Sequence, residues 1–274
     1  IYMLHVPLRE IPIPDGCCAV PDAAVFDVEP PGLLAQAVTD LKRLRKEWNA
    51  RKAAAPPGTD AWKEADRRST AYKVAANTFY GVVGAPMSRF YVREIAESVT
   101  AAGRWLIRAV ISAAEARGWE VVYCDTDSIF VAGVEEARFR EFVEWCNTDV
   151  CPGMHATQRA PRNEVRLAYE KEFDRIVLLK KKRYAGRFRH YKGTLATADS
   201  KPEIKGLEFK RGDSVRLARE FQFDVVTRIL DGDEDVDRFR EVVTTMRDRV
   251  LTGELALSEF VQSKSLSRDL AEYK

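Results

Sequence analysis

Apolar side chains along this chain fall into helical and strand periods separated by short breaks. Residues 1 to 32 interleave brief apolar runs with Pro7, Pro12, Pro14, Pro21, Pro30 and Pro31, which predicts strand and loop pieces rather than helix. From Gly32 to about Ala55, Leu33, Leu34, Ala37, Val38, Leu41, Leu44 and Trp48 recur at three- and four-residue spacing and predict a helix. Pro56-Pro57-Gly58 ends it. A second helical pattern from about Asp60 to Phe79 then gives an antiparallel helical hairpin, roughly 30 Å long from the helical rise. A third helix is expected from Ser88 to Arg117, stopped by Gly118 as a left-handed cap. Val121-Val122-Tyr123, Asp125-Thr126-Asp127 and Ile129-Phe130-Val131 read as strand, tight acidic turn and strand. A helix over 135–147, strands over 165–179 and 183–197, and helices over 213–230 and 236–251 complete an α+β chain without internal repeats.

Composition adds bounds. With 274 residues, 46% hydrophobic and 31% charged, the chain can bury one large core or two modest ones. No run approaches the ~18 apolar residues of a membrane span, and Ile1-Tyr2-Met3-Leu4-His5 lacks the blocks of a signal peptide. Cys17, Cys18, Cys124, Cys146 and Cys151 are odd in number and without zinc-site spacing. Reduced thiols in an intracellular protein are therefore expected, whether in a cytoplasm, a nucleoid or a virus-infected cell. Cys17-Cys18 reads as a packing pair, and Cys146 with Cys151 as the brackets of a helix end. His5, His155 and His190 stand far apart and read as ordinary surface or core residues. Net charge is only +2, but residues 171 to 192 hold nine Lys/Arg against two acids, while Asp231 to Asp237 is acidic. Such a basic stripe is either a solvated face or a nucleic-acid grip.

The acidic turn carries the first candidate chemistry. Two carboxylates one residue apart suit a hard divalent cation, which offsets their mutual repulsion; equally, Asp and Thr are common in plain turns. Tyr123-Cys124-Asp125-Thr126-Asp127-Ser128 resembles the Y-G-D-T-D-S signature of family B DNA polymerases, with Cys124 in place of Gly. The resemblance implies that Asp127 is the principal ligand of two catalytic metal ions, Mg²⁺ with Mn²⁺ as a substitute, and that Asp125 is the supporting acid.

The second predicted helix places Lys73, Asn77 and Tyr80 on one face, which spacing alone allows to be either an ordinary amphipathic face or a nucleotide-binding one. Lys73 to Gly81 resembles the family's K-x-x-x-N-S-x-Y-G motif, with Thr78 replacing Ser. By that resemblance Lys73 contacts the triphosphate, Asn77 and Tyr80 border the nascent base pair, and Gly81 allows close backbone approach. Glu94 to Thr100 is similar to the family's A-E-S-V-T run and reads as core. Arg45 matches the arginine of an R-x-x-x-K pair for the triphosphate, but Asn49 occupies the lysine position; Lys42, Arg51 and Lys52 are candidate substitutes.

Lys180 to Gly186 resembles the K-K-R-Y-A-G segment that grips the primer-template duplex, implicating Lys181, Lys182, Arg183 and Tyr184. Tyr169-Glu170-Lys171 matches the element leading into it, and Glu170 is either an accessory metal ligand or a strand-surface acid. Lys205 to Asp213 resembles K-G-x-E-x-x-R-R-D, adding Lys205 and Arg211 to the DNA-binding set, with Gly212 where a second arginine is common. Residues 267 to 273 look like the entrance to the thumb.

The resemblance runs from about residue 32 to the end. It implies a palm, an antiparallel sheet with packed helices, joined to antiparallel helical-hairpin fingers: a palm lead-in over 1–31, fingers over 32–84, palm over 85–264 and the start of the thumb over 265–274. The family's first palm aspartate lies in a D-x-x-S-L-Y-P-S strand, which residues 1 to 32 do not contain; Asp15, Asp22 and Asp27 lack its surroundings. The chain's ends carry no recognisable stop or cap. The expectation is a split polymerase acting on primer-template DNA and dNTP, whose first palm aspartate, exonuclease domain and remaining thumb come from a second polypeptide or chain segment. A non-catalytic DNA-binding or replisome scaffold is the alternative. A palm-type nucleotidyl cyclase is a third reading, with no use for the fingers hairpin or the basic stripe.

Overall fold

The computed structural model describes residues 13–20, 23–30, 32–161, 164–191, 194–197, 200–208 and 212–263, and the chain divides into two compact units, Ile1–Leu167 and Ala168–Lys274. Arg211 and residues 265–274 lie outside the described residues. The architecture is α+β with antiparallel sheets throughout.

In the first unit, β1 (Cys17–Val20) and β2 (Ala24–Asp27) form a small hairpin around buried Cys17, Ala19 and Val25. The helical hairpin follows as α1 (Leu33–Ala54) and α2 (Asp60–Gly84). Thr59 caps α2 by accepting from the Trp62 N–H at 3.3 Å. The arm contains little core: α1 buries no side chain, and α2 buries only Ala65, Ser69 and Val83. Polar and cation–π contacts tie it instead. Lys52 Nζ lies 2.6 Å from Asp66 and 4.8 Å from the Trp62 ring centre, and the Arg51 and Arg68 guanidinia lie 4.4 and 4.7 Å from the centre of the Trp48 ring.

Helix α2 runs past Phe79 to Gly84 because its last turn is packed: Val83 is buried, and a Cβ on Gly84 would sit 3.5 Å from Ala96. Helix α3 (Arg93–Glu115) starts later than Ser88 because Pro86 sits within turns fixed by Ser88 N–H to Ala85 O (2.9 Å), Tyr91 N–H to Ser88 O (3.1 Å) and Val92 N–H to Val83 O (3.0 Å). Gly118 takes φ +74 and ends the turn after α3 as expected.

Strands β3 (Glu120–Asp125) and β4 (Ser128–Ala132) follow, then α4 (Glu136–Trp145). The helix expected to stop near residue 147 instead continues through a π-helical turn, Cys146–Val150, into α5 (Cys151–Gln158). Pro152 has no N–H to donate, and the Cys151 N–H reaches back to Cys146 O, which widens the spiral. Cys146 and Cys151, both fully buried, therefore lie within one helical run. Asn147 pairs with the Leu167 backbone, donating Nδ2 to its carbonyl at 3.0 Å and accepting its N–H at 2.8 Å. Val110 and Ala114 of α3 pack with Phe142 and Cys146 beneath Trp119, Val121 and Ile129. All five cysteines are free.

The second unit is a sheet of β5 (Lys171–Lys180), β6 (Arg183–Tyr191), β7 (Thr194–Leu195) and β8 (Glu203–Lys205), with β6 central. Residues 164–170 precede β5 without joining the sheet. Helix α6 (Arg216–Leu230) lays Val226 and Leu230 on Ala185, Ile204 and Leu207; α7 (Val236–Leu251) and a 3-10 turn, Leu257–Phe260, complete the unit.

Two glycines are required by packing. A Cβ on Gly186 would lie 2.5 Å from a Phe173 ring carbon, so the ring occupies that side-chain position. Gly206, at φ +64, would put a Cβ 2.2 Å from the Lys182 carbonyl oxygen, a backbone atom that cannot swing away. Gly206→Ala is accordingly expected to destabilise the second unit by at least about 1–3 kcal/mol. Urea unfolding followed by far-UV circular dichroism measures it; an unchanged midpoint contradicts the close contact.

Candidate active site

The β3–β4 hairpin positions the acidic turn through a change of register. Val121 pairs with Val131, but Tyr123 pairs with Phe130, leaving Val122 as an inserted bulge residue. Without it, Tyr123 would share the core-facing side of Val121. With it, Tyr123 and Asp125 lie on the opposite face with Phe130 and Ser128, their cross-strand partners. The Tyr123 and Phe130 rings, 5.3 Å apart, brace that face.

Asp125 pairs with Ser128, so Thr126 and Asp127 alone make the loop. The Asp127 N–H donates to Asp125 O at 2.7 Å across a Thr126 held at φ +56, which defines a γ-turn on a β-branched residue. The loop secures this costly conformation with two further bonds: Ser128 Oγ donates to Asp125 O at 3.2 Å, and Thr126 Oγ1 to Asp125 Oδ1 at 3.1 Å. Asp127 is exposed, and its carboxylate has no partner among the described residues. The turn thus brings together two oxygen-donor carboxylates, one braced and one open. That donor set suits a hard divalent cation. Cys124 is exposed beside them; its partial burial, then the Asp125 charge, push its thiol up, so it stays neutral near pH 7.

Lys73, Asn77, Tyr80 and Gly81 all lie exposed along one stripe of α2, Tyr80 at 48%. None of the three side chains has a partner among the described residues, and neither does exposed Arg45 on α1. Asn49, by contrast, is engaged: it accepts from the buried Ser69 hydroxyl at 2.5 Å, closing the α1–α2 seam.

In the second unit, Tyr169 donates its hydroxyl to Glu172 (3.1 Å) and Lys171 binds Glu203, leaving Glu170 between them exposed and unpartnered among the described residues. Lys181 and Lys182 form the β5–β6 turn, Lys182 at φ +61. Lys181 and Arg183 are exposed and without partners among the described residues. Lys205 is exposed and lies 3.6 Å from Glu203. Tyr184 is only 6% exposed and donates its hydroxyl to Glu203 at 2.8 Å, so it backs the turn rather than fronting it. Sequence reasoning missed Glu203. Its one signal is the two-residue separation from Lys205, which puts it on the strand that covers the motif.

Comparisons with known proteins point to one family. The model of DNA polymerase family B matches residues 18–274. DNA polymerase 2 of Aeropyrum pernix is 32% identical over 255 residues, covering 91% of this chain and 28% of that protein. The DNA polymerase of Archaeoglobus fulgidus is 28% identical over 263 residues, covering 95% and 31%. The solved family B DNA polymerase of Pyrobaculum calidifontis superposes with a TM-score of 0.62 at 29% identity, over 97% of this chain and 32% of that one. The fold is a mixed one that presents a paired-carboxylate turn, and the match gives its family: this chain belongs to DNA polymerase family B. It spans about a third or less of the length of these relatives. No helix among the described residues is long and apolar enough to cross a membrane.

Two carboxylates of the second unit titrate below the ordinary range. Burial pushes Glu203 up, but hydrogen bonds from Lys171 and Tyr184 and the Lys171 and Lys205 charges outweigh it; burial likewise raises Glu172, but His190, Tyr169 and Arg189 outweigh it. A lowered folded value means stabilisation that is complete above the ordinary value of about 4.3 and lost as pH falls through the folded one. The thermal midpoint should therefore fall as pH drops below about 4.3, and Glu203→Gln should flatten that fall. Circular dichroism melts at stepped pH measure both, and identical profiles for the two proteins contradict the assignment.

Proposed function

We propose that this chain supplies fingers and palm to template-directed DNA synthesis, joining a deoxynucleotide to a primer 3′-hydroxyl. The palm lead-in is 1–31, the fingers 32–84, the palm 85–264 and the thumb entrance 265–274. The observation that carries the reading is the open Asp127 carboxylate beside braced Asp125, on a strained hairpin turn of a family B chain. Asp127 and Asp125 would hold divalent metal, Mg²⁺ or Mn²⁺, with Glu170 as accessory acid. Two such ions, when bound, supply charge stabilisation to the attacking and leaving oxygens of phosphoryl transfer.

The chain's own residues bind and orient. Lys73 holds the triphosphate as a point charge with Arg45 as a second cation, while Asn49, tied to Ser69, holds the arm together instead. Asn77 and Tyr80 border the nascent base pair, and Gly81, with open space where a side chain would stand, admits backbone approach. Lys181, Lys182, Arg183, Lys205 and Arg211 neutralise backbone phosphates without reading sequence, with Tyr184 supporting the turn. The primer oxygen attacks the α-phosphorus, the bond to the bridging oxygen breaks, and pyrophosphate departs. A further carboxylate, an exonuclease domain and the remaining thumb belong to another polypeptide or chain segment, making this one part of a split or larger polymerase.

Primer extension with Mg²⁺, by this chain combined with that complementary polypeptide, tests the reading. Asp127→Ala is expected to lower the rate by at least about a hundredfold. Lys73→Ala should act chiefly by raising the KM for dNTP, with Lys73→Arg partly restoring it. Extension that survives Asp127→Ala overturns the catalytic assignment and favours a DNA-binding scaffold.

A further inference from the structure

Behind the basic turn lies a partly buried carboxylate. Glu203 accepts Lys171 Nζ on both oxygens, at 2.9 and 2.8 Å, and the Tyr184 hydroxyl at 2.8 Å. The Glu203 and Lys171 side chains are only 13% and 16% exposed. The register explains the fit. Glu203 stands across from Gly186 on the face shared with Tyr184, where the Phe173 ring fills the side-chain position at 186. The Lys171 ammonium also lies 5.4 Å from the Phe173 ring centre and 5.9 Å from that of Tyr184, so cation, ring and carboxylate form one closed set. Three residues along, Gly206 presses on the Lys182 carbonyl, and the same segment therefore fixes the turn's backbone.

We infer that Glu203 is a positioning residue that partitions the basic stripe: it withdraws Lys171 and Tyr184 into the sheet and leaves Lys180, Lys181 and Arg183 to meet the phosphates of DNA. Those three are exposed and lack partners among the described residues, so their charge is available to a polyanion. Lys171 lies in the same run of sequence, but its charge is already neutralised at the core-facing end. The set of contacting cations is then decided by an acid that never touches DNA. This inference rests on the reading of the turn as a DNA grip.

Each phosphate contact on duplex DNA contributes about 0.9 to the slope of log Kobs against log salt, which makes the slope a count of engaged cations. For the 274-residue chain binding a primer-template duplex, Lys181→Ala should reduce the slope by about 0.9. The paired replacement Lys171→Met with Glu203→Leu, which removes the two partly buried charges together, should leave the slope at the wild-type value and the chain folded. Glu203→Gln should steepen it by up to about 0.9, as Lys171 becomes available. A slope reduced as much by the paired replacement as by Lys181→Ala overturns the partition, as does an unchanged slope in a folded Glu203→Gln protein. Should Glu203→Gln fail to fold by circular dichroism, the paired replacement decides alone. Wild-type binding without salt dependence, indifferent to Lys181→Ala, overturns the DNA-grip reading itself and the inference with it.

Discussion

Both charged turns of this protein depend on one constraint: a side-chain-bearing residue held in left-handed backbone. Thr126 at φ +56 and Lys182 at φ +61 occupy a region that costs roughly 1–3 kcal/mol for non-glycine residues. Neither would persist in an isolated hairpin. At the acidic turn the bracing is local and made of hydrogen bonds, with Asp125 as the hub for Asp127, Ser128 and Thr126. At the basic turn it is a steric fit, a glycine backbone laid against a carbonyl. In each case like charges are concentrated at a tip whose backbone has little freedom, so repulsion among them cannot easily be relieved by rearrangement.

What surrounds each tip follows from that. The bulge at Val122 turns Tyr123 and Asp125 away from the core without interrupting the hydrophobic contacts of Val121 and Ile129. On the other hairpin, Phe173 fills the place of a side chain at Gly186 and stacks on Phe188 at 5.1 Å, keeping an aromatic layer behind the cationic tip. A carboxylate within that layer sets how much of the positive charge reaches solvent.

Much of this was legible in the sequence, for a physical reason. The period of Leu33 to Trp48, the Pro56-Pro57-Gly58 break and the exposed stripe of Lys73, Asn77 and Tyr80 are local patterns, and the structure has the hairpin at those positions. The acidic turn was equally visible, since strand-forming apolar runs flank it on both sides. Features that depend on distant partners were not. Val121-Val122-Tyr123 are all good strand formers, so nothing in the run marks where the bulge falls. The end of α2 is settled by Ala96, the π-helical turn by the burial of Cys146 and Cys151 around Pro152, and Glu203 by residues far along the chain.

The helical arm has a consequence for how such a protein can vary. With no α1 side chain buried, and with its tip tied by Trp48, Lys52, Asp66 and Arg68, the arm's reach is uncoupled from the packing of α3 and the strands. Whole turns of helix can be gained or lost next to Pro56-Pro57-Gly58 without opening a cavity elsewhere. Evolution can therefore lengthen or shorten this limb as a module while the scaffold that anchors it stays fixed.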